Sequence, residues 1–386
     1  MKSEKKVYLT GTVIACRKAP DTGLIIELMV NGGVQVIAYE GSERRKVQSG
    51  DYVIATDFGH SSSNGAASCK SLKTIFRDFD SKNRKAKNST NNYRNINKLE
   101  ALRIRGLTIQ HFQNTLGTQG YLPVSSPAIV SRWPDGNTVP FPIDYYGTDA
   151  RLSISNMIYH QIMVMHGFGK IYEVGKSFRN ETPSHPNRLA EYTTFDISRD
   201  TPVLETVEKT FEALIHSLCL YLEKQDFKNL CPPSRFQFDR ITYRELLSRC
   251  GLESMPGAQL PPPVREYIAK NFESYLWVTN FPEYSRPFYA RSRNGFCDDS
   301  QLWYRGKVYI AAGTVVEDDV ESYVPKMIAR NHRVENFEDY LVHVKNGVPP
   351  ISQMAVGIER MLATWFDGMD AADFCWFPRY GKNISL

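Results

Sequence analysis

A polar loop between two apolar stretches gathers the side chains best suited to chemistry. Gly175-Lys-Ser-Phe-Arg179-Asn-Glu181 continues, after a short break, into Asn187-Arg188-Leu-Ala-Glu191-Tyr192-Thr-Thr-Phe195-Asp196. A hairpin of this composition can hold a guanidinium fork for phosphate beside carboxylates that accept hydrogen bonds from an amine. By spacing alone the same residues also describe a solvated hairpin. Near the C-terminus, Ala355-Val356-Gly357-Ile358-Glu359-Arg360-Met361-Leu362 places an arginine just after an apolar run and one glycine. That order aims Arg360 into a cleft, and it equally fits an ordinary strand-to-helix turn with an exposed arginine.

The elements that must position these residues fall into two sets. Val7–Val13, Leu24–Val30, Val34–Tyr39, Tyr52–Thr56 and Leu72–Phe76 are rich in β-branched and aromatic residues, with Asn31-Gly32-Gly33 as a turn. Five short strands over about 75 residues suit a five-stranded barrel. Residues 81–98 lack apolar spacing and are rich in Asn, Lys and Ser, so they read as a basic polar linker. From Leu99 the apolar spacing through Ile104, Phe112 and Leu116 predicts a helix of about five turns, ended by Gly120. Beyond it, Arg151–His166 and Glu205–Lys224 read as helices, and Lys170–Ser177, Thr193–Ser198, Lys307–Ala312 and Gln353–Val356 as strands. The mixed order favours an α+β domain over 99–386, preceded by the barrel over 1–80.

Composition narrows the setting. With 386 residues, 42% of them apolar, the chain can bury two or three cores. A net charge of +5 tolerates a polyanion without requiring one. The seven cysteines are scattered with no Cys-x-x-Cys pair, which argues against a disulfide frame or a structural zinc site. The lysines of the N-terminus precede no apolar core, and no run approaches the roughly 18–20 apolar residues of a membrane span. The expected setting is cytoplasmic, with no membrane partner.

Taken in order, the two stretches resemble motifs 2 and 3 of the class II aminoacyl-tRNA synthetases. Gly120-Tyr-Leu-Pro-Val-Ser-Ser-Pro127, after the long helix, stands where motif 1 belongs. The likeness is to the aspartyl, asparaginyl and lysyl subclass, which carries an N-terminal OB-fold, and it covers about residues 6–380. It implies an OB-fold barrel followed by a class II catalytic domain, an antiparallel sheet flanked by helices. It also implies ATP with Mg²⁺, an amino-acid substrate, and a homodimer through motif 1.

Carried over position by position, Arg179 would hold the α-phosphate and the attacking carboxylate. Glu181 would accept from the adenine amino group, Tyr192 would stack on adenine, and Arg188 would meet the γ-phosphate. Gly357, Glu359 and Arg360 would line the other side of the nucleotide, with Arg360 as the second catalytic guanidinium. Such groups stabilise the charge of a pentavalent phosphorus without a side-chain nucleophile. Asp135, Ser155 and Asp196 match positions around the substrate ammonium, while His160, Ser352 and Gln353 fall in the amino-acid pocket.

Departures accompany the likeness. His160 replaces a lysine, and Val316 an arginine, that grip aspartate's side chain in the family. A buried carboxylate without partners costs several kcal/mol, so a neutral or larger side chain is expected. Gln301 and Tyr309 occupy the family's metal-carboxylate positions, leaving Asp298, Asp299 and Glu317, with Asp318, as nearby metal candidates. In the barrel, Ile25 stands where an aromatic stacks on an anticodon base, although Gln35 matches a base-reading position. Three functions follow: a tRNA synthetase, a tRNA-independent paralogue passing its acyl group to ammonia or a small amine, or a non-catalytic binding or regulatory dimer.

Overall fold

A computed structural model of the chain describes residues 9–19, 23–30, 33–39, 52–58, 67–76, 98–130, 139–181, 186–225, 237–252, 260–366 and 368–381. The chain divides into two compact units, Met1–Thr90 and Asn91–Leu386. Residues 81–97 of the expected linker lie outside the described residues, and Lys98 already opens a helix.

The first unit holds β1 (Leu9–Ala19), β2 (Gly23–Val30), β3 (Gly33–Tyr39), β4 (Tyr52–Phe58) and β5 (Ala67–Phe76). They close a barrel in the order β1-β2-β3-β5-β4. Strand alternation builds its interior: Leu24, Ile26 and Leu28 are buried, while Ile25 and Glu27 between them are partly exposed. With Val13, Ile37 and Val53 they form a core of the barrel's own. Gln35 stands exposed on β3, opposite Leu28.

In the second unit, α1 (Lys98–Thr118) leads into the short strands β6 (Leu122–Pro123) and β7 (Ile129–Val130). There follow β8 (Pro142–Tyr145), β9 (Thr148–Leu152), α2 (Met157–Met165), β10 (Lys170–Phe178), β11 (Glu191–Arg199) and α3 (Leu204–Glu223). Next come β12 (Phe238–Thr242), α4 (Tyr243–Arg249), α5 (Pro262–Asn271) and β13 (Tyr275–Thr279). The chain continues through β14 (Ser292–Arg293), β15 (Phe296–Cys297), β16 (Asp299–Tyr304) and β17 (Val308–Val315). It then forms α6 (Tyr323–Ala329), α7 (Glu338–Val344), β18 (Ser352–Gly357) and α8 (Ile358–Trp365).

One eight-stranded sheet, ordered β12-β13-β16-β17-β18-β11-β10-β6, organises this unit. The expected antiparallel sheet is corrected to a mixed one. Its inner six strands pair antiparallel, but β12 joins β13, and β6 joins β10, in parallel. One face packs on α1, α3 and α8 through Phe112, Phe195, Phe211, Leu302, Met354 and Leu362. Alternation then turns Glu173, Asp196, Ser198 and Gln353 to the opposite face, where they are buried yet polar. A bulge in the β16–β17 ladder lets consecutive Ile310 and Ala311 both join the core. Tyr309 is thereby returned to the polar face, alongside Ala312 and Thr314.

The helix expected over Arg151–His166 starts later. Arg151 and Leu152 belong to β9, paired with Val130 and Ile129, and α2 begins at Met157. Strand pairing outweighed the apolar spacing of that segment. Among the described residues no helix is long and apolar enough to cross a membrane.

Candidate active site

The polar face of the large sheet holds a cavity of about 250 Å³. Arg179, at the end of β10, lines it with Ser155 and Met157 from the entry to α2, and with Gln353 and Ala355 from β18. Arg286, Tyr289, Asp299, Ser300 and Thr314 form further wall. Arg179 donates from Nη1 to the Ile154 carbonyl at 2.5 Å, and its guanidinium lies 5.7 Å from the centre of the Tyr192 ring. Those contacts pin the guanidinium at the start of the hairpin loop.

Arg360 is placed by a different route. Strand β18 ends at Gly357, and the first turn of α8 carries Arg360 to 5.5 Å from the centre of the Tyr309 ring. Tyr192 sits on β11 and Tyr309 on β17, the two strands that flank β18, and alternation puts both on the polar face. Two guanidinium groups, each against a tyrosine, thus stand on either side of one strand end. Arg360 is not among the residues lining the cavity. Glu181 and Arg188, also outside that lining, face each other across the hairpin loop at 3.6 Å.

Beside the cavity wall runs a buried polar network. Asp196, which pairs with Ala355 across the β11–β18 ladder, accepts from Asn156 Nδ2 at 3.0 Å and Thr194 Oγ1 at 2.9 Å through one oxygen. Its Oδ1 is buried with no hydrogen-bond partner among the described residues. Burial raises this carboxyl to about 6, against the opposing pull of His160, Thr194 and Asn156. Gly175 makes room for the arrangement, since a Cβ there would collide with Asn156 Nδ2.

Three of the expected substrate contacts have hydrogen-bond partners within the protein. His160 is fully buried, with Nδ1 3.0 Å from Ser198 Oγ and Nε2 3.1 Å from Glu173 Oε2. Both ring nitrogens are therefore engaged inside the protein. Burial pushes Glu173 upward, but bonds from His160 and Ser126 outweigh it and hold the carboxyl below its ordinary range. Ser352 donates to the Thr201 carbonyl at 2.8 Å, and alternation turns it away from Gln353's face. Glu359, expected beside the nucleotide, is buried between α1 and β11 instead. It accepts from Arg105 Nε at 3.0 Å and from the Thr193 N–H at 2.9 Å. Asp135 lies outside the described residues.

The metal candidates are each held by a cation. Asp298 pairs with Arg291 at 2.6 Å, Asp299 with Arg286, and Glu317 with Lys326 and, at 3.5 Å, Arg293. Asp318 sits 3.2 Å from Arg293. Among the described residues no three metal-ligating side chains gather. Carboxylates so neutralised do not fit a Mg²⁺ held by the protein, which needs free hard oxygens in octahedral array.

Arg286 and Ser300 escaped the reading of the sequence. The signal available was a lone arginine ahead of the apolar run Pro287-Phe288-Tyr289. Ser300 carried none, because only the fold brings it to the cavity.

Comparison with known proteins places these features in a lineage. The model of the tRNA synthetases class II (D, K and N) matches residues 81–381. The Aspartate--tRNA(Asp/Asn) ligase of Methanopyrus kandleri is 28% identical over 293 residues, which is 73% of this chain and 68% of that protein. The Aspartate--tRNA(Asp) ligase of Thermoplasma volcanium is 28% identical over 70% of this chain, and the chain spans 65% of its length. Among solved structures, the asparaginyl-tRNA synthetase of Pyrococcus horikoshii complexed with asparaginyl-adenylate superposes with a TM-score of 0.80. It is 20% identical, and the match covers 99% of this chain and 96% of that one, a likeness of fold. The Entamoeba histolytica asparaginyl-tRNA synthetase in complex with asparaginyl-adenylate gives 0.76 at 17% identity, over 99% and 97% of the two chains. With a family model matching residues 81–381, from ahead of helix α1 to beyond helix α8, the chain belongs to the class II aminoacyl-tRNA synthetases of the D, K and N type, a family of ATP-dependent ligases.

Proposed function

We propose that this chain activates an amino acid with ATP and transfers the acyl group to tRNA. In the first step a carboxylate oxygen of the amino acid attacks the α-phosphorus. The bond to the β-phosphate breaks, and pyrophosphate leaves with its electron pair. Arg179 stabilises the charge growing on the α-phosphate, and Arg360 acts from the far side of β18. Tyr192 offers a stacking face for adenine, Glu181 a carboxylate for its amino group, and Arg188 a cation for the γ-phosphate. Asp196 and Ser155 receive the ammonium. The names of the relatives support tRNA as acceptor over ammonia or a small amine. Mg²⁺ enters only as the counter-ion of ATP, and no step uses a metal held by the protein.

The observation that carries this reading is Arg179 on the wall of a cavity, with Asp196, whose Oδ1 has no hydrogen-bond partner among the described residues, paired to the wall residue Ala355 on the same sheet. An anion-binding group and a cation-binding group stand on one sheet face, as the two ends of an amino acid about to be adenylated require. Amino-acid-dependent exchange of pyrophosphate into ATP tests it. Arg179→Ala should abolish exchange with the thermal melt preserved; retained exchange would remove Arg179 from the site.

The barrel is read as an OB-fold over residues 1–80, supported by its strand order and its parallel β3–β5 closure. Exposed Gln35 makes its open surface a candidate contact for RNA. A homodimer is proposed from the resemblance at motif 1.

A further inference from the structure

Gln353 is 1% exposed and lines the cavity, yet neither its Oε1 nor its Nε2 has a hydrogen-bond partner among the described residues. Ser300, also 1% exposed and on the same wall, has an Oγ with no hydrogen-bond partner among the described residues. Arg286 completes the wall at 10% exposure, its guanidinium 3.8 Å from the centre of the Phe281 ring and paired with Asp299. Its Nη2 is buried without a hydrogen-bond partner among the described residues. Asp299 is occupied in turn, taking the Phe281 N–H at 2.9 Å and the Arg286 guanidinium.

The charges of Arg286 and Asp299 therefore offset each other, while the hydrogen-bonding capacity of this part of the wall is left open. Buried polar atoms without partners are costly, so a site that keeps them is complete only when a ligand supplies the missing bonds. An entering carboxylate could accept from Gln353 Nε2, Ser300 Oγ and Arg286 Nη2, but it has no donor for Gln353 Oε1 and would meet the Asp299 carboxylate beside Arg286. An aliphatic side chain would leave every open atom unsatisfied. A carboxamide donates from its nitrogen and accepts at its oxygen, so it can answer Gln353, Ser300 and Arg286 Nη2 together.

We propose that Gln353, Ser300 and the Arg286–Asp299 pair form the side-chain subsite, and that it selects an amino acid with an uncharged carboxamide side chain. This rests on the activation reading above and adds its specificity determinants. A site built around hydrogen bonds rejects analogues lacking them far more strongly than an apolar pocket rejects a lost methylene.

The experiment is pyrophosphate exchange on the full chain with asparagine, glutamine, aspartate, glutamate and leucine. Thermal shift with the asparaginyl and aspartyl sulfamoyl-adenosine analogues runs in parallel. We expect asparagine or glutamine to exceed the matching acid and leucine by at least about 100-fold in kcat/KM, and the asparaginyl analogue to give the larger shift. Gln353→Leu should raise the amino-acid KM at least about tenfold with the KM for ATP unchanged, and Ser300→Ala should act in the same direction. Exchange that favours an acid or leucine overturns the subsite and leaves the activation reading standing. With no exchange by any amino acid, an asparaginyl-analogue preference still upholds the subsite, and an aspartyl preference still overturns it. No exchange and no shift from either analogue overturns both.

Discussion

Asp196 concentrates the site's electrostatics in one residue. Its carboxyl is fully buried, has an unpartnered oxygen and is raised to about 6 by that burial. A pKa above the ordinary carboxylate value means the native chain holds this proton more tightly than the unfolded one. Its contribution to stability is thus full in acid and lost as pH rises through about 6. Binding an ammonium has the opposite sign, because only the carboxylate attracts it. Amino-acid affinity should therefore fall as pH drops through about 6 and flatten above it, as read from the amino-acid KM in exchange assays between pH 5 and 8. Asp299 titrates in the same range, so the control is Asp196→Asn. That variant should lose most of the slope and weaken binding at pH 7.5; an unaltered slope would move the titration elsewhere. The residue's type and place after Tyr192 were legible in the sequence. Its unpartnered oxygen was not, since it depends on Asn156 and Thr194 crowding the other one.

At the scale of elements, strand β18 and helix α8 carry the second arginine, and Glu359 fastens them to the sheet. Glu359 binds Arg105 of α1 and the backbone of β11, so it fixes the angle at which α8 leaves Gly357. We expect Glu359→Gln to destabilise the second unit by about 1–3 kcal/mol, because it weakens a charge-assisted pair whose arginine is partly exposed. It should lower exchange through the KM for ATP, and chemical denaturation with steady-state kinetics checks both. Strand β10 offers a second test. Gly175→Ala forces a Cβ against Asn156, and overpacking of this kind costs about 1–3 kcal/mol. The amino-acid KM should rise with it, measured alongside the melt. The strands around these points could be read from period-two spacing. The start of α2 could not, because Arg151 and Leu152 pair with residues about twenty positions upstream that local spacing does not register.

Across the whole molecule, the two units have separate hydrophobic cores. The barrel's core draws on Val13, Ile26, Ile37 and Val53, and the sheet's core on residues after Asn91. A fragment beginning at Asn91 should fold cooperatively and retain pyrophosphate exchange within about threefold, since each proposed contact of the adenylation step lies in that unit. Circular dichroism and the exchange assay test this, and failure to fold would show that the barrel supports the larger core.

The sequence alone determined the order of the elements, the polar loop with Arg179, the glycine before Arg360 and the histidine at position 160. All of these follow from side-chain identity and short-range spacing. Only the tertiary structure decided which polar groups are free to bind. His160, Ser352 and Glu359 are engaged by residues far along the chain, whereas Gln353 and Ser300 stay open on the cavity wall. The physical reason is that a hydrogen-bonding group becomes a binding site only when folding buries it without supplying its partner, and partners arrive from distant segments.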